Sequence, residues 1–227
     1  MLAALLFDLD GTLVETDSIH FLIWQDMLQE QGLEIDRAFY QTKISGRLNP
    51  DIVRDLLPQL SPEKQAQFIW DKEAEFRNRA GALIPMPGLA DILAWSDEQA
   101  LKRAVVSNAP KENAQFMLQA LKLAETFPMI VLGDDLPKGK PDPMPYQTAL
   151  DRLGVTVEET IAFEDSPSGI CSAVGAGILT IGIASTHTPE DLYKLGTTLV
   201  VKDFTDPKLW DLLHQSFADD SSLIPSV

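Results

Sequence analysis

The chain has 227 residues, 45% apolar and 23% charged, a balance that suits a soluble globular protein of one large domain or one domain carrying an insertion. Its formal net charge of −16 leaves no basic stripe for a nucleic acid, and an anionic membrane surface would repel it. A site for an anionic substrate must therefore be basic locally.

The first segment, residues 1–7, is apolar, carries no basic stretch or cleavage-like site, and runs straight into Asp8. It reads as a strand over residues 3–7 rather than as a secretory leader. Asp8-Leu9-Asp10-Gly11-Thr12 follows at the strand tip. Gly11 allows a sharp turn and Thr12 offers a hydroxyl. Two carboxylates two residues apart can divide labour. One attacks phosphorus and helps hold Mg²⁺, and the other protonates the leaving oxygen and then activates water. The competing reading is a polar loop with an Asx-turn.

From residue 18 to 82 only helical patterns occur, over 18–31, 36–43, 51–57 and 62–79. Ser61 and Pro62 supply the cap and first position of the last. Such a block between the first and second strands reads as an inserted subdomain, with residues 84–88 as the return hinge. His20 and Trp24 are four apart and share a helix face. Lys43 and Lys72 are weaker candidates for substrate contact, with surface charges as the favoured reading.

Beyond the hinge, helical patterns at 89–95, 112–121, 146–153, 169–174, 189–195 and 207–214 alternate with apolar runs at 104–106, 129–132, 161–163, 179–183 and 198–201. The alternation predicts an α/β fold with a doubly wound, mainly parallel Rossmann-like sheet and an inserted all-helical cap subdomain. The catalytic core would comprise residues 1–16 and 86–227, and the cap residues 17–85. Residues 218–227 read as a loose tail.

Three of the later strand ends carry polar groups. Ser107 and Asn108 follow the second strand, where they either hold a phosphoryl oxygen or serve as turn and cap residues. Pro141 biases Lys140 towards an extended backbone, and with the pair Asp142-Pro143 it holds Lys140 in a stiff loop, aimed at a phosphate as a point charge. Asp142 and Pro143 read as cap and first helical position, and Lys138 as a solvated charge. Glu164 and Asp165 end the strand at 161–163, either as oxygen ligands for Mg²⁺ or as acidic residues at a helix start that Ser166 and Pro167 open. The single cysteine, Cys171, excludes an intramolecular disulfide, suits a reducing cytoplasmic compartment, and reads as a small buried residue.

The ordered set Asp8-x-Asp10-Gly11-Thr12, Ser107, Lys140, Glu164-Asp165 resembles the four motifs of the haloacid dehalogenase superfamily along nearly the whole chain. The helical block is similar to the cap of the subgroup holding β-phosphoglucomutase and sugar phosphatases. The resemblance implies Asp8 as nucleophile through a phosphoaspartate and Asp10 as general acid and base. It implies Mg²⁺ held by Asp8, Asp10, Asp165 and Glu164, with Asp10 contributing its backbone carbonyl. Ser107 and Lys140 would hold the phosphoryl group, and Asn108 and Thr12 stand beside them as candidates. Thr16, His20, Trp24 and Arg47 match cap-side residues near substrate, with a solvated helix-start histidine as the alternative for His20. The implied activity is that of a phosphatase of small phosphate esters such as sugar phosphates, and the acidic, single-cored chain reads as a cytoplasmic monomer. Phosphoglycolate phosphatase and a β-phosphoglucomutase-type transferase are the alternatives. A dehalogenase would need neither Asp10 nor the acidic pair, and a non-enzymatic relative would be expected to have lost Asp8, Asp10 or Lys140.

Overall fold

The structure is a computed structural model that describes residues 1–81 and 83–218. The expected tail therefore lies, apart from Ala218, outside the described residues.

Six strands form one parallel sheet in the order β3-β2-β1-β4-β5-β6. They are β1 (Ala4–Phe7), β2 (Lys102–Ser107), β3 (Ile130–Leu132), β4 (Thr160–Glu164), β5 (Leu179–Ile183) and β6 (Leu199–Val201). The order reverses beside β1, which pairs with β2 on one side and β4 on the other. That reversal opens a crevice at the carboxyl ends of β1, β2 and β4, where ligands bind in open α/β sheets.

The strand interiors are mostly apolar because both faces are covered, with polar residues such as Lys102, Arg103, Ser107, Thr160 and Glu164 at strand ends. Side chains alternate between two cores. Leu5, Phe7, Val105, Ile161 and Phe163 enter one, and Leu6, Ala104, Val106 and Ala162 the other. In the first, Phe7 stacks on Phe163 with centroids 5.0 Å apart. Phe204, from the loop after β6, meets both edge-on at 6.1 and 5.4 Å.

Along the chain, β1 is followed by a block of four helices: α1 (Asp17–Glu30), α2 (Arg37–Lys43), α3 (Asn49–Leu56) and α4 (Pro62–Arg79). They bury a cluster of their own that includes Trp24, Tyr40, Ile52, Val53 and Phe68. The chain enters and leaves this block side by side, because Val14 bridges Pro85 and the Met86 amide donates to the Leu13 carbonyl at 2.9 Å. The remaining helices are α5 (Leu89–Glu98), α6 (Lys111–Ala120), α7 (Met144–Leu153), α8 (Pro167–Gly175), α9 (Pro189–Lys194) and α10 (Pro207–Ala218).

Three details differ from expectation. Cys171 is exposed, because it falls on the outer face of α8 rather than against the sheet. Helix α7 starts one residue late, with Asp142 Oδ1 still accepting from the Met144 amide at 3.0 Å. Lys72 is buried, not a surface charge. Lys138 is exposed as expected, paired with Asp142 at 2.9 Å.

Truncating Phe204, fully buried yet in a loop, removes a ring from the aromatic cluster. We expect Phe204→Ala to cost about 3–5 kcal/mol in urea unfolding. A loss below about 1 kcal/mol would mean the cluster closes without it.

Candidate active site

The crevice brings Asp8, Glu164, Asp165 and Lys140 together, all nearly inaccessible to solvent. Strand pairing accounts for this: Phe7 lies opposite Phe163, so the residues after them share a tip. Oxygens of Asp8, Glu164 and Asp165 lie within 4.8 Å of one another. Glycine at two neighbouring positions permits the approach. A Cβ on Gly11, whose φ is +78°, would run into the Asp165 carboxylate, and one on Gly169 into that of Glu164.

Lys140 reaches the cluster from the loop after β3. Its ammonium has three protons, and all are used. They go to Asp8 Oδ1 at 2.6 Å, Glu164 Oε1 at 2.5 Å and the Val106 carbonyl at 2.6 Å. Lys140 thus compensates charge and orients Asp8, and its protons are already committed before any phosphate arrives. Burial works against its charge, but Asp8 and Glu164 more than offset that and hold the group above the ordinary lysine range.

Three carboxylates facing one ammonium leave two negative charges unmatched. Burial, reinforced by Glu164 and Asp10, pushes the Asp8 carboxyl up to about 8 against the pull of Lys140. Burial together with Asp8 and Glu164 pushes Asp165 well above the usual carboxylate range. Glu164 Oε2 is buried without a hydrogen-bond donor, while Oε1 also accepts from Tyr146 at 2.7 Å. Hard oxygen ligands, a two-charge deficit and an orphaned oxygen together fit a divalent cation.

Asp10 faces the helical block. Its Oδ1 accepts from Thr16 at 2.6 Å and lies 3.3 Å from His20 Nε2. Thr16 stands at the N-cap of α1 yet spends its hydroxyl on Asp10. His20 Nδ1 lies 3.0 Å from Lys72 Nζ. An ammonium only donates, so Nδ1 accepts and the ring proton sits on Nε2, aimed at Asp10. Burial raises the Asp10 carboxyl, but His20, Thr16 and Lys72 more than offset that and hold it below the ordinary range.

The other expected residues divide. Ser107 lines the cavity, its oxygen accepting from the Ala109 amide at 2.9 Å and its proton free to be donated. The Asn108 side chain was expected to hold phosphate. Instead it is engaged twice with the Lys140 backbone, at 3.0 Å each way, and fixes that loop. Thr12 is fully buried with no hydroxyl partner and is not on the cavity wall, because the turn after Gly11 carries it inward. Trp24 lines the wall, but its ring is 2% exposed and packs on Phe68 inside the helical block. Arg47 also lines it, bound at 2.5 Å to Asp55.

Several wall residues carry no sequence signal. Lys72 and Glu73 look like two more charges on a polar helix, yet they form a buried pair at 2.7 Å. Glu73 also accepts from Asn49 at 2.6 Å and from Asn113 of α6, whose carbonyl takes Arg77 at 2.5 Å. Thr186 donates to Asp165 Oδ2 at 2.8 Å. Glu73, Arg77 and Asn113 thus join the helical block to the sheet domain. So do Gln41 with the Thr186 carbonyl and Ser168 with that of Gly46.

Known proteins agree with this geometry. The family model for haloacid dehalogenase-like hydrolases matches residues 5–183. The chain is similar to the validoxylamine A 7'-phosphate phosphatase of Streptomyces hygroscopicus subsp. limoneus, with 28% identity over 88% of this chain and 93% of that one. It is 30% identical to the phosphorylated carbohydrates phosphatase of Thermotoga maritima, over 88% of this chain and 94% of that one. The crystal structure of CbbY from Rhodobacter sphaeroides in complex with phosphate superposes with a TM-score of 0.80 at 27% identity, covering 91% of this chain and 96% of that one. The parallel sheet, the strand-tip carboxylates and the family match lead to one conclusion: the chain belongs to the haloacid dehalogenase-like hydrolase family.

Proposed function

We propose that this protein is a Mg²⁺-dependent phosphatase of small phosphate monoesters, sugar phosphates above all, working through a phosphoaspartate on Asp8. The observation that carries the reading is the buried set of three carboxylates sharing one lysine, beside a second aspartate that hydrogen-bonds to other partners. The names of the relatives, phosphatases of phosphorylated carbohydrates, support the substrate class.

Lys140 holds Asp8 Oδ1, and Oδ2 accepts no hydrogen bond among the described residues. That oxygen attacks phosphorus as the bond to the leaving oxygen breaks. A bound Mg²⁺ would be held by Asp8, Asp165, Glu164 and the Asp10 carbonyl and would neutralise charge on the phosphoryl oxygens. Asp10 gives its proton to the leaving oxygen. An incoming phosphate dianion raises the proton affinity of Asp10 by like-charge repulsion. Asp10 then takes a proton from water, whose oxygen attacks the phosphoaspartate and frees inorganic phosphate and Asp8. His20 and Thr16 hold Asp10 in place for both transfers, and Ser107 donates to a phosphoryl oxygen. Residues 17–85 act as a cap over the core formed by 1–16 and 86–227, excluding bulk water during the first step.

Two outcomes test this. Asp8→Asn should lower kcat by roughly 10³-fold or more while the circular dichroism spectrum stays unchanged. Activity within about tenfold of the parent would place the nucleophile elsewhere. The second concerns pH. The folded Asp8 carboxyl titrates at about 8 against an ordinary 3.8, so its protonated form stabilises the metal-free fold at low pH. That contribution falls away as pH rises from 3.8 to about 8. In EDTA the Tm should therefore drop across this range. The gain in Tm on adding Mg²⁺ should grow with pH, because the ion competes with those protons. A gain that is flat with pH would count against metal binding at Asp8.

A further inference from the structure

We propose that Glu73 is a specificity-determining residue: it accepts a hydrogen bond from a hydroxyl of the leaving group and rejects leaving groups that carry a second negative charge. The inference rests on the phosphatase reading and names the chemistry at the far end of the same cavity.

Among the described residues lining the cavity, every cationic side chain already has a carboxylate of the chain itself. Lys140 is held by Asp8 and Glu164, Lys72 by Glu73, and Arg47 by Asp55. Arg47 also donates to the Lys43 carbonyl at 2.8 Å, which turns its guanidinium onto its own helical block. His20 is committed between Asp10 and Lys72. Asp17 adds a further carboxylate to the wall, and its partner Arg37 stands outside the cavity lining. No cation there is left over for a second phosphate or a carboxylate.

A carboxylate offers about four acceptor sites. Glu73 Oε1 takes Asn49 and Lys72, and Oε2 takes Asn113. One site at Oε2 remains, and a hydroxyl can fill it where an anion cannot. Burial raises the Glu73 carboxyl, but Lys72 and His20 more than offset that and keep it below the usual range, so it stays an acceptor at neutral pH. A buried, ionised acceptor repels an anion strongly because little water screens the pair.

The test compares kcat/KM for glucose 6-phosphate, phosphoglycolate and fructose 1,6-bisphosphate in Mg²⁺. The parent enzyme should prefer the neutral-bodied ester over both others by at least about tenfold, the equivalent of ~1.4 kcal/mol. In Glu73→Gln that preference should shrink by about tenfold, mainly through a lower KM for the two anionic compounds, since Lys72 is then released. Equal or better turnover of phosphoglycolate or the bisphosphate by the parent would overturn the charge filter and leave the phosphatase intact. A uniform loss on all three esters in Glu73→Gln would also overturn it, because Glu73 would then only join the helical block to the sheet domain. No phosphate release from any ester would overturn the phosphatase reading and the filter with it.

Discussion

The structure depends on one electrostatic constraint: three carboxylates and one lysine buried at the tips of β1 and β4. Such a group is costly to assemble, and removing one partner of a buried pair typically costs ~3–5 kcal/mol. Its surroundings are arranged to hold it. Tyr146 and the Val106 carbonyl take up remaining hydrogen bonds, Thr186 supports Asp165, and the Asn108 amide locks the loop that delivers Lys140. Gly11 and Gly169 clear the space the carboxylates occupy. What stays unmatched is a charge deficit of the size and ligand type that a divalent cation supplies.

The second aspartate is handled by different means. Asp10 is excluded from the acidic trio and tied to Thr16 and His20. Two aspartates two residues apart therefore sit in environments that push their proton affinities in opposite directions, upward at Asp8 and downward at Asp10. Both shifts oppose the proposed roles while the site is empty: a cation at the trio would lower Asp8 towards its ionised form, and an incoming phosphate would raise Asp10 towards its protonated form. From Asp10 the hydrogen bonds run on through His20 and Lys72 to Glu73, and from there to Asn113 on the sheet domain. A proton-transfer group and the junction between the helical block and the sheet thus belong to one connected network.

The fold was legible in the chain because it rests on local signals. Short apolar runs alternating with helical periods specified a parallel sheet, and the caps at Ser61 and Ser166 marked helix starts correctly. All six strands appear where the apolar runs fall, with ends shifted by a residue or two. The site residues at strand tips were legible for the same reason: a charged residue directly after a buried strand has few places to go. Asp8, Asp10, Glu164 and Asp165 follow this rule, whereas Lys140 stood out through the stiff loop that Pro141 imposes after β3.

The roles of individual side chains were not legible where they depend on what lies across a gap. Lys72 and Glu73 are identical in sequence character to solvated helix charges, and only the packing of α4 against α1, α3 and α6 buries them. Asn108 looks like a phosphate ligand until the loop from β3 brings the Lys140 backbone against it. Thr12 and Cys171 are sent inward and outward by the pitch of a turn and a helix that composition does not report. The chain by itself determined which chemistry stands at the ends of the strands, because hydrophobic periodicity and its punctuation are local. Only the tertiary structure decided which charges pair and which are left over, because pairing in a low-dielectric interior is set by ångström-scale proximity between segments distant in sequence.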